Sequence, residues 1–84
     1  MNIKLLKSKG MKKCFVNFIE HIDCGEKILG KGELWEYTTK KMEISFWVIF
    51  KNKIYYASQM ASNSYSIKKT AKFPQHAYTA DILN

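Results

Sequence analysis

The chain contains no arginine; all fourteen of its cationic side chains are lysines. Base-specific readout relies heavily on the bidentate guanidinium fork, so its absence argues against sequence-selective recognition of nucleic acid. An AT-rich genome also favours lysine codons, and Asn, Ile and Tyr are plentiful here too. Proline occurs once, at Pro74, and glycine four times, too little of either for a disordered or low-complexity chain. The two cysteines, Cys14 and Cys24, exclude a disulfide scaffold. No segment reads as a secretory signal. The longest apolar run, Ile44 to Phe50 interrupted by Ser45, is far too short for a bilayer-spanning helix. The expectation is a cytoplasmic protein with no membrane partner.

What is present is an uneven charge on an aromatic-rich domain. Residues 1–19 carry five lysines and no acid, residues 20–43 carry six of the seven acids, and residues 44–84 are basic again, for a net charge of +7. Basic ends around an acidic middle suggest a polyanion-binding surface. Eighty-four residues with 46% hydrophobic side chains make one small domain, 1–84, with residues 1–10 as a basic N-terminal arm if Met11 is an internal start. A core of this size is marginal, so self-association is a plausible supplement.

Met11, Cys14, Phe15, Phe18, Ile19 and Ile22 recur at helical spacing, which predicts a helix ending before Gly25. Against it stand the strand propensity of Cys14–Ile19 and a charge order opposed to the helix dipole. Gly25, Gly30 and Gly32 read as a turn-rich connection. Three strands are expected, Glu33–Thr39, Met42–Phe50 and Lys53–Gln59, joined by two-residue turns at Lys40-Lys41 and Lys51-Asn52. Those turns place Trp35, Tyr37, Ile44, Phe46, Val48, Phe50, Tyr55 and Ala57 on a core face. They place Leu34, Glu36, Thr38, Glu43, Ser45, Trp47, Ile49, Ile54, Tyr56 and Ser58 on the other. Met60–Ser66 reads as a loop, and Gln75–Leu83 as a short terminal helix. The expected fold is α+β, a small three-stranded antiparallel sheet with one packed helix; the alternative is an all-β small barrel.

Cys14, His21, Cys24 and His76 lack the paired knuckles of a structural zinc site, so no metal or other cofactor is expected. No nucleophile elbow, oxyanion signature or phosphate loop accompanies the histidines, and an enzyme is not expected, although ribonuclease chemistry can use residues such as His21, His76 and Lys72. Two lysine groups are the candidate nucleic-acid contacts: Lys7, Lys9, Lys12 and Lys13, and Lys68, Lys69 and Lys72. Trp47 and Tyr56 offer stacking surfaces, but Glu36 and Glu43 on the same expected face would repel phosphates. The alternative is a protein-interaction face of Trp47, Ile49, Ile54 and Tyr56 docking an acidic partner.

Over its whole length the chain is short, lysine- and aromatic-rich, and free of catalytic signatures. In this profile it resembles the small accessory proteins of AT-rich bacteriophages, which often inhibit host defences by binding a nuclease or its RNA. One such group is the RNA-binding inhibitors of endoribonuclease toxins. The resemblance implies a non-catalytic protein acting by electrostatic occlusion, with RNA, an RNA–protein complex or a host nuclease as partner. It would act through the clusters around Lys12-Lys13 and Lys68-Lys69.

Overall fold

The computed structural model describes residues 1–68 and 77–83. A short helix, α1 (Ile3–Lys9), precedes six strands: β1 (Met11–Ile22), β2 (Gly25–Thr38), β3 (Ile44–Phe50), β4 (Lys53–Ala61), β5 (Ser64–Ile67) and β6 (Ala77–Ile82). Every neighbouring pair is antiparallel and β6 returns to β1, so the strands close into an up-and-down barrel. The α+β expectation of a three-stranded sheet with a packed helix is therefore overturned. Its alternative, a small all-β barrel, is the class observed.

The segment expected to be helical, 11–22, is β1. Its Cys14, Val16 and Phe18 alternate into the interior with period two, and of the two register shifts the one between Lys12 and Cys14 adds Lys13 to β1 while the one at Phe18/Ile19 adds Leu29 to β2. Alternation broken by such bulges imitates helical spacing over a short window. Strand propensity and the unfavourable charge order prevailed, because β1 must pair with both β2 and β6 to leave no open edge. Gly30 and Gly32 lie within β2 rather than in a connection. Gly30, at φ 153°, sits opposite Phe18 where the register shifts. Residues 77–82 are strand, not helix, with Tyr78, Ala80 and Ile82 turned to the core. The expected loop at 60–66 is shortened to a turn between β4 and β5.

Helix α1 was unforeseen. Asn2 caps it, its Oδ1 accepting from the Leu5 amide at 2.8 Å. Its one buried side chain, Leu6, is fully covered where the helix lies against β1 and β2.

The interior is filled by Val16, Phe18, Leu34, Val48, Phe50, Ala57, Tyr65, Ile67 and Ala80. Phe18 stacks on Phe50 with centroids 4.5 Å apart and meets Tyr55 at 5.0 Å and Tyr78 at 5.6 Å. Phe46 and Tyr65 pack edge-on nearer the other end. Each of these contacts joins different strands, so the aromatic cluster holds the closed ring together.

The hairpins set which residues face out. Lys51 and Asn52 both take positive φ, 48° and 64°, so β3 and β4 are joined by the two-residue turn their sequence favours. Tyr55 consequently faces the core and Tyr56 the outside. The β2–β3 turn is one residue longer than expected. Met42 adopts φ 65°, and the Thr39 amide donates to the Glu43 carbonyl, leaving Lys40, Lys41 and Met42 as the loop. The extra residue slips β2 by one against β3 and exchanges its faces. Leu34, opposite Val48, is buried; Trp35, opposite Trp47, is outside.

Candidate nucleic-acid interface

The slip assembles an aromatic surface that the expected pairing had divided. Reading across the ladders, Lys12 pairs with Trp35, Trp35 with Trp47, and Trp47 with Tyr56. One step further, the Lys68 amide donates to the Tyr56 carbonyl at 2.9 Å, which continues the β4–β5 register so that Lys68 falls opposite Tyr56. The outer surface thus carries one row, Lys12, Trp35, Trp47, Tyr56 and Lys68, which passes round the ring over five of its six strands, with the three rings at its middle and a lysine on each flank. Four inter-strand steps of about 4.8 Å make it about 19 Å long along the curved surface.

The rings are held in place. Trp35 donates its indole N–H to Glu33 Oε1 at 3.0 Å. Trp47 donates to Ser45 Oγ at 2.9 Å, and that hydroxyl donates to the Tyr37 carbonyl. Trp47 and Tyr56 meet edge to face at 5.0 Å. Both tryptophans are half-buried and Tyr56 is 40% exposed, so part of each ring system faces outward.

The neighbouring row is Phe15, Glu33, Ile49 and Ile54. Phe15 is 40% exposed, and the Lys12 and Lys31 ammonium groups lie 4.0 and 4.1 Å from its ring centroid. Its one acid, Glu33, is neutralised where it stands. The Trp35 N–H, then Lys12 at 3.4 Å with Lys7 beyond, holds its carboxyl below the usual carboxylate range despite partial burial. Glu36 shares the inward side of β2 with Leu34 and is paired with Lys13 at 3.3 Å. The expected repulsion from Glu36 on the tryptophan face is therefore absent, and Glu43 belongs to the β2–β3 turn.

Of the lysines expected to bind, Lys12 and Lys68 flank the row and Lys7 stands over its neighbour. Lys9 is exposed in the last turn of α1, away from the row's register, and Lys13 is diverted to Glu36 by the β1 bulge. Lys69 and Lys72 lie outside the described residues. Lys68 follows β5 and is separated from the N-terminal cluster on α1 and β1 by β6, so the two lysine groups do not form one patch remote from Trp47 and Tyr56. Trp47, Ile49, Ile54 and Tyr56 do share the outer surface, with Ile49 nearly buried. Trp35, Phe15, Lys31 and Lys51 were missed as site residues.

No group of three or more metal-ligating side chains exists among the described residues. Cys14 faces the core side of β1, Cys24 is exposed, and His21 bonds Thr79 across to β6 at 2.8 Å; His76 lies outside the described residues. Burial pushes the Cys14 thiol upward, more than Lys13 lowers it. Native protein at neutral pH should accordingly be alkylated first at Cys24, with Cys14 at least about tenfold slower. Peptide mapping after timed iodoacetamide treatment checks this, and equal rates would contradict the inward placement of Cys14. No helix among the described residues is long and apolar enough to cross a membrane. No protein-family model, curated protein or solved structure matches the chain.

Proposed function

We propose that the protein binds single-stranded nucleic acid, RNA in preference, without catalysing a reaction. The observation that carries this reading is the row Lys12–Trp35–Trp47–Tyr56–Lys68. Outward aromatic rings on a sheet accept unpaired bases by stacking; Lys68 at one end takes a phosphate, and Lys12 at the other does so in exchange for its ion pair with Glu33. Stacking and ammonium contacts carry little base information, so recognition is of backbone and strandedness. Bound this way, about three bases are shielded, and occlusion of RNA from another protein is the effect. The whole-chain profile supports the cytoplasmic setting of a phage-type inhibitor that masks RNA from a host nuclease.

The test is a salt series with a mixed-sequence single-stranded RNA. Two phosphate contacts, at Lys12 and Lys68, give a log–log slope of about −1.4, with a matched duplex bound more weakly. A slope near zero, or no binding at low salt, rejects the reading. Stoichiometric co-purification of an acidic protein that survives nuclease treatment and is lost in Trp47→Ala would replace it with the protein-docking alternative.

A further inference from the structure

Beside the aromatic row lies a surface pocket of about 280 Å³ lined by Lys7, Phe15, Lys31, Gly32, Glu33, Ile49 and Lys51. Its three lysines come from α1, from β2 and from the β3–β4 turn, elements that only the folded barrel brings together. Gly32 contributes only backbone to its floor: a Cβ there would point inward, 2.9 Å from the Ile49 carbonyl oxygen and 3.5 Å from Val48 Cγ1 and Phe50 Cβ, so any larger residue would press on the core. Among the described residues, none of Lys7, Lys31 and Lys51 forms a salt bridge. The pocket's single carboxylate, Glu33, is already engaged by Lys12 and Trp35. Lys31 lies over Phe15 and Lys51 sits 5.4 Å from the Phe50 centroid, contacts that position the stems and leave the ammonium groups without an anionic partner.

The pocket is therefore lined by three lysines from three elements, with Phe15 as one aromatic wall and its one carboxylate, Glu33, already engaged by Lys12. An internal phosphodiester brings one negative charge and two free oxygens. A phosphomonoester brings about −1.5 to −2 at neutral pH and three acceptor oxygens, which matches three independent ammonium donors. Two residues of strand, about 7 Å, separate the Phe15–Ile49 row from the Trp35–Trp47 row, within reach of a nucleotide continuing off the stacked bases.

We infer that this pocket is a binding site for a terminal phosphate group of a nucleic-acid strand, so that the protein seats strand ends in preference to internal sequence. The inference rests on the single-stranded nucleic-acid reading and adds a polarity to it. The strand end occupies the Lys7–Lys31–Lys51 pocket and the following bases lie along Trp35, Trp47 and Tyr56. Which end is seated, 5′ or 3′, is decided by the probes.

The experiment compares one short RNA in three forms: 5′-phosphorylated, 3′-phosphorylated, and with hydroxyls at both ends. One phosphorylated form should bind on the order of tenfold more tightly than the hydroxyl form. The exposed-lysine double variant Lys31→Gln/Lys51→Gln should erase that difference. Trp47→Ala should weaken all three forms and preserve it. Equal affinity for all three overturns the inference and leaves single-strand binding standing. If none of the RNAs binds, titration with adenosine monophosphate decides. Movement of the Gly32 and Lys51 amide resonances, abolished in the double variant, sustains the phosphate pocket while single-strand binding fails; no movement overturns both.

Discussion

Leu34→Ala should lower the stability of the protein by about 2–5 kcal/mol, whereas Trp35→Ala, one position along, should cost only about 1–2 kcal/mol. Leu34 is 1% exposed and packs with Val16, Val48 and Phe50 in the core cluster, so its truncation leaves a cavity in a closed interior. Trp35 is half-buried on the outside, and its removal forfeits one indole hydrogen bond and some surface packing. The larger tryptophan would normally be the costlier loss, so the reversed order is a direct test of the β2–β3 register. For a domain of this length total stability is on the order of 4–13 kcal/mol, so Leu34→Ala removes a large share of it. Urea denaturation of both variants, with unchanged slopes, measures the difference. If Trp35→Ala proves the more damaging, β2 is paired one residue away from its present partner.

That single residue also marks the boundary of what the sequence discloses. The hairpin at Lys51-Asn52 was legible because two adjacent residues had to take positive φ and Asn tolerates it. The alternation through β3 and β4 then placed Val48, Phe50 and Tyr55 correctly inside. The turn after Thr39 carried no comparable signal. Lys40-Lys41 looked sufficient, and nothing local announced that Met42, which fits a strand, would enter the left-handed region. One residue of loop length inverted every side chain of β2 relative to its neighbour. Closure of the barrel was less legible still. His21 meets Thr79 and Tyr78 meets Glu20 across 58 residues, and local periodicity carries no information about such pairs. Barrel closure converted β1 from an amphipathic pattern into a bulged strand.

The site followed the same logic. Trp47 and Tyr56 were visible as outward aromatics because their hairpin was legible; Trp35 was not, because its turn was not. The lysines were harder to sort. Lys12 and Lys13 are adjacent, yet the β1 bulge sends one to Glu33 beside the aromatic row and the other to Glu36 on the inward side of β2. Lys31 belongs to the acid-rich middle of the chain, where segment charge gives it no prominence. In the fold, Asn17 stands opposite it and Phe15 beneath it, and its charge remains available. Net charge by segment located an electrostatic preference, and pairing across strands decided where that preference is expressed.

Trp47→Ala should weaken binding to single-stranded RNA by roughly fivefold to more than a hundredfold, the loss of about 1–3 kcal/mol expected for one stacked base. Trp47 stands at the centre of the row, flanked by Trp35 and Tyr56, so a strand that stacks anywhere along the surface must pass over it. Its indole is anchored through Ser45 and not through the interior, so truncation leaves the core cluster intact and costs about 1–2 kcal/mol of stability, as at Trp35, with the protein still folded at about 25 °C. The log–log salt slope should also hold, because no ammonium–phosphate contact is removed. Lys12→Gln combined with Lys68→Gln should do the reverse. At about −0.7 per phosphate contact on a single strand, losing both ends of the row flattens the slope by about 1.4, with a smaller loss in affinity at high salt. The two variants therefore separate stacking from charge on one surface. If Trp47→Ala binds within twofold of the parent at every salt concentration, the bases do not lie on the tryptophans. If the lysine pair leaves the slope untouched, the phosphates do not follow the row. Either result would break the link between the slipped β2 register and the function proposed for the face it creates.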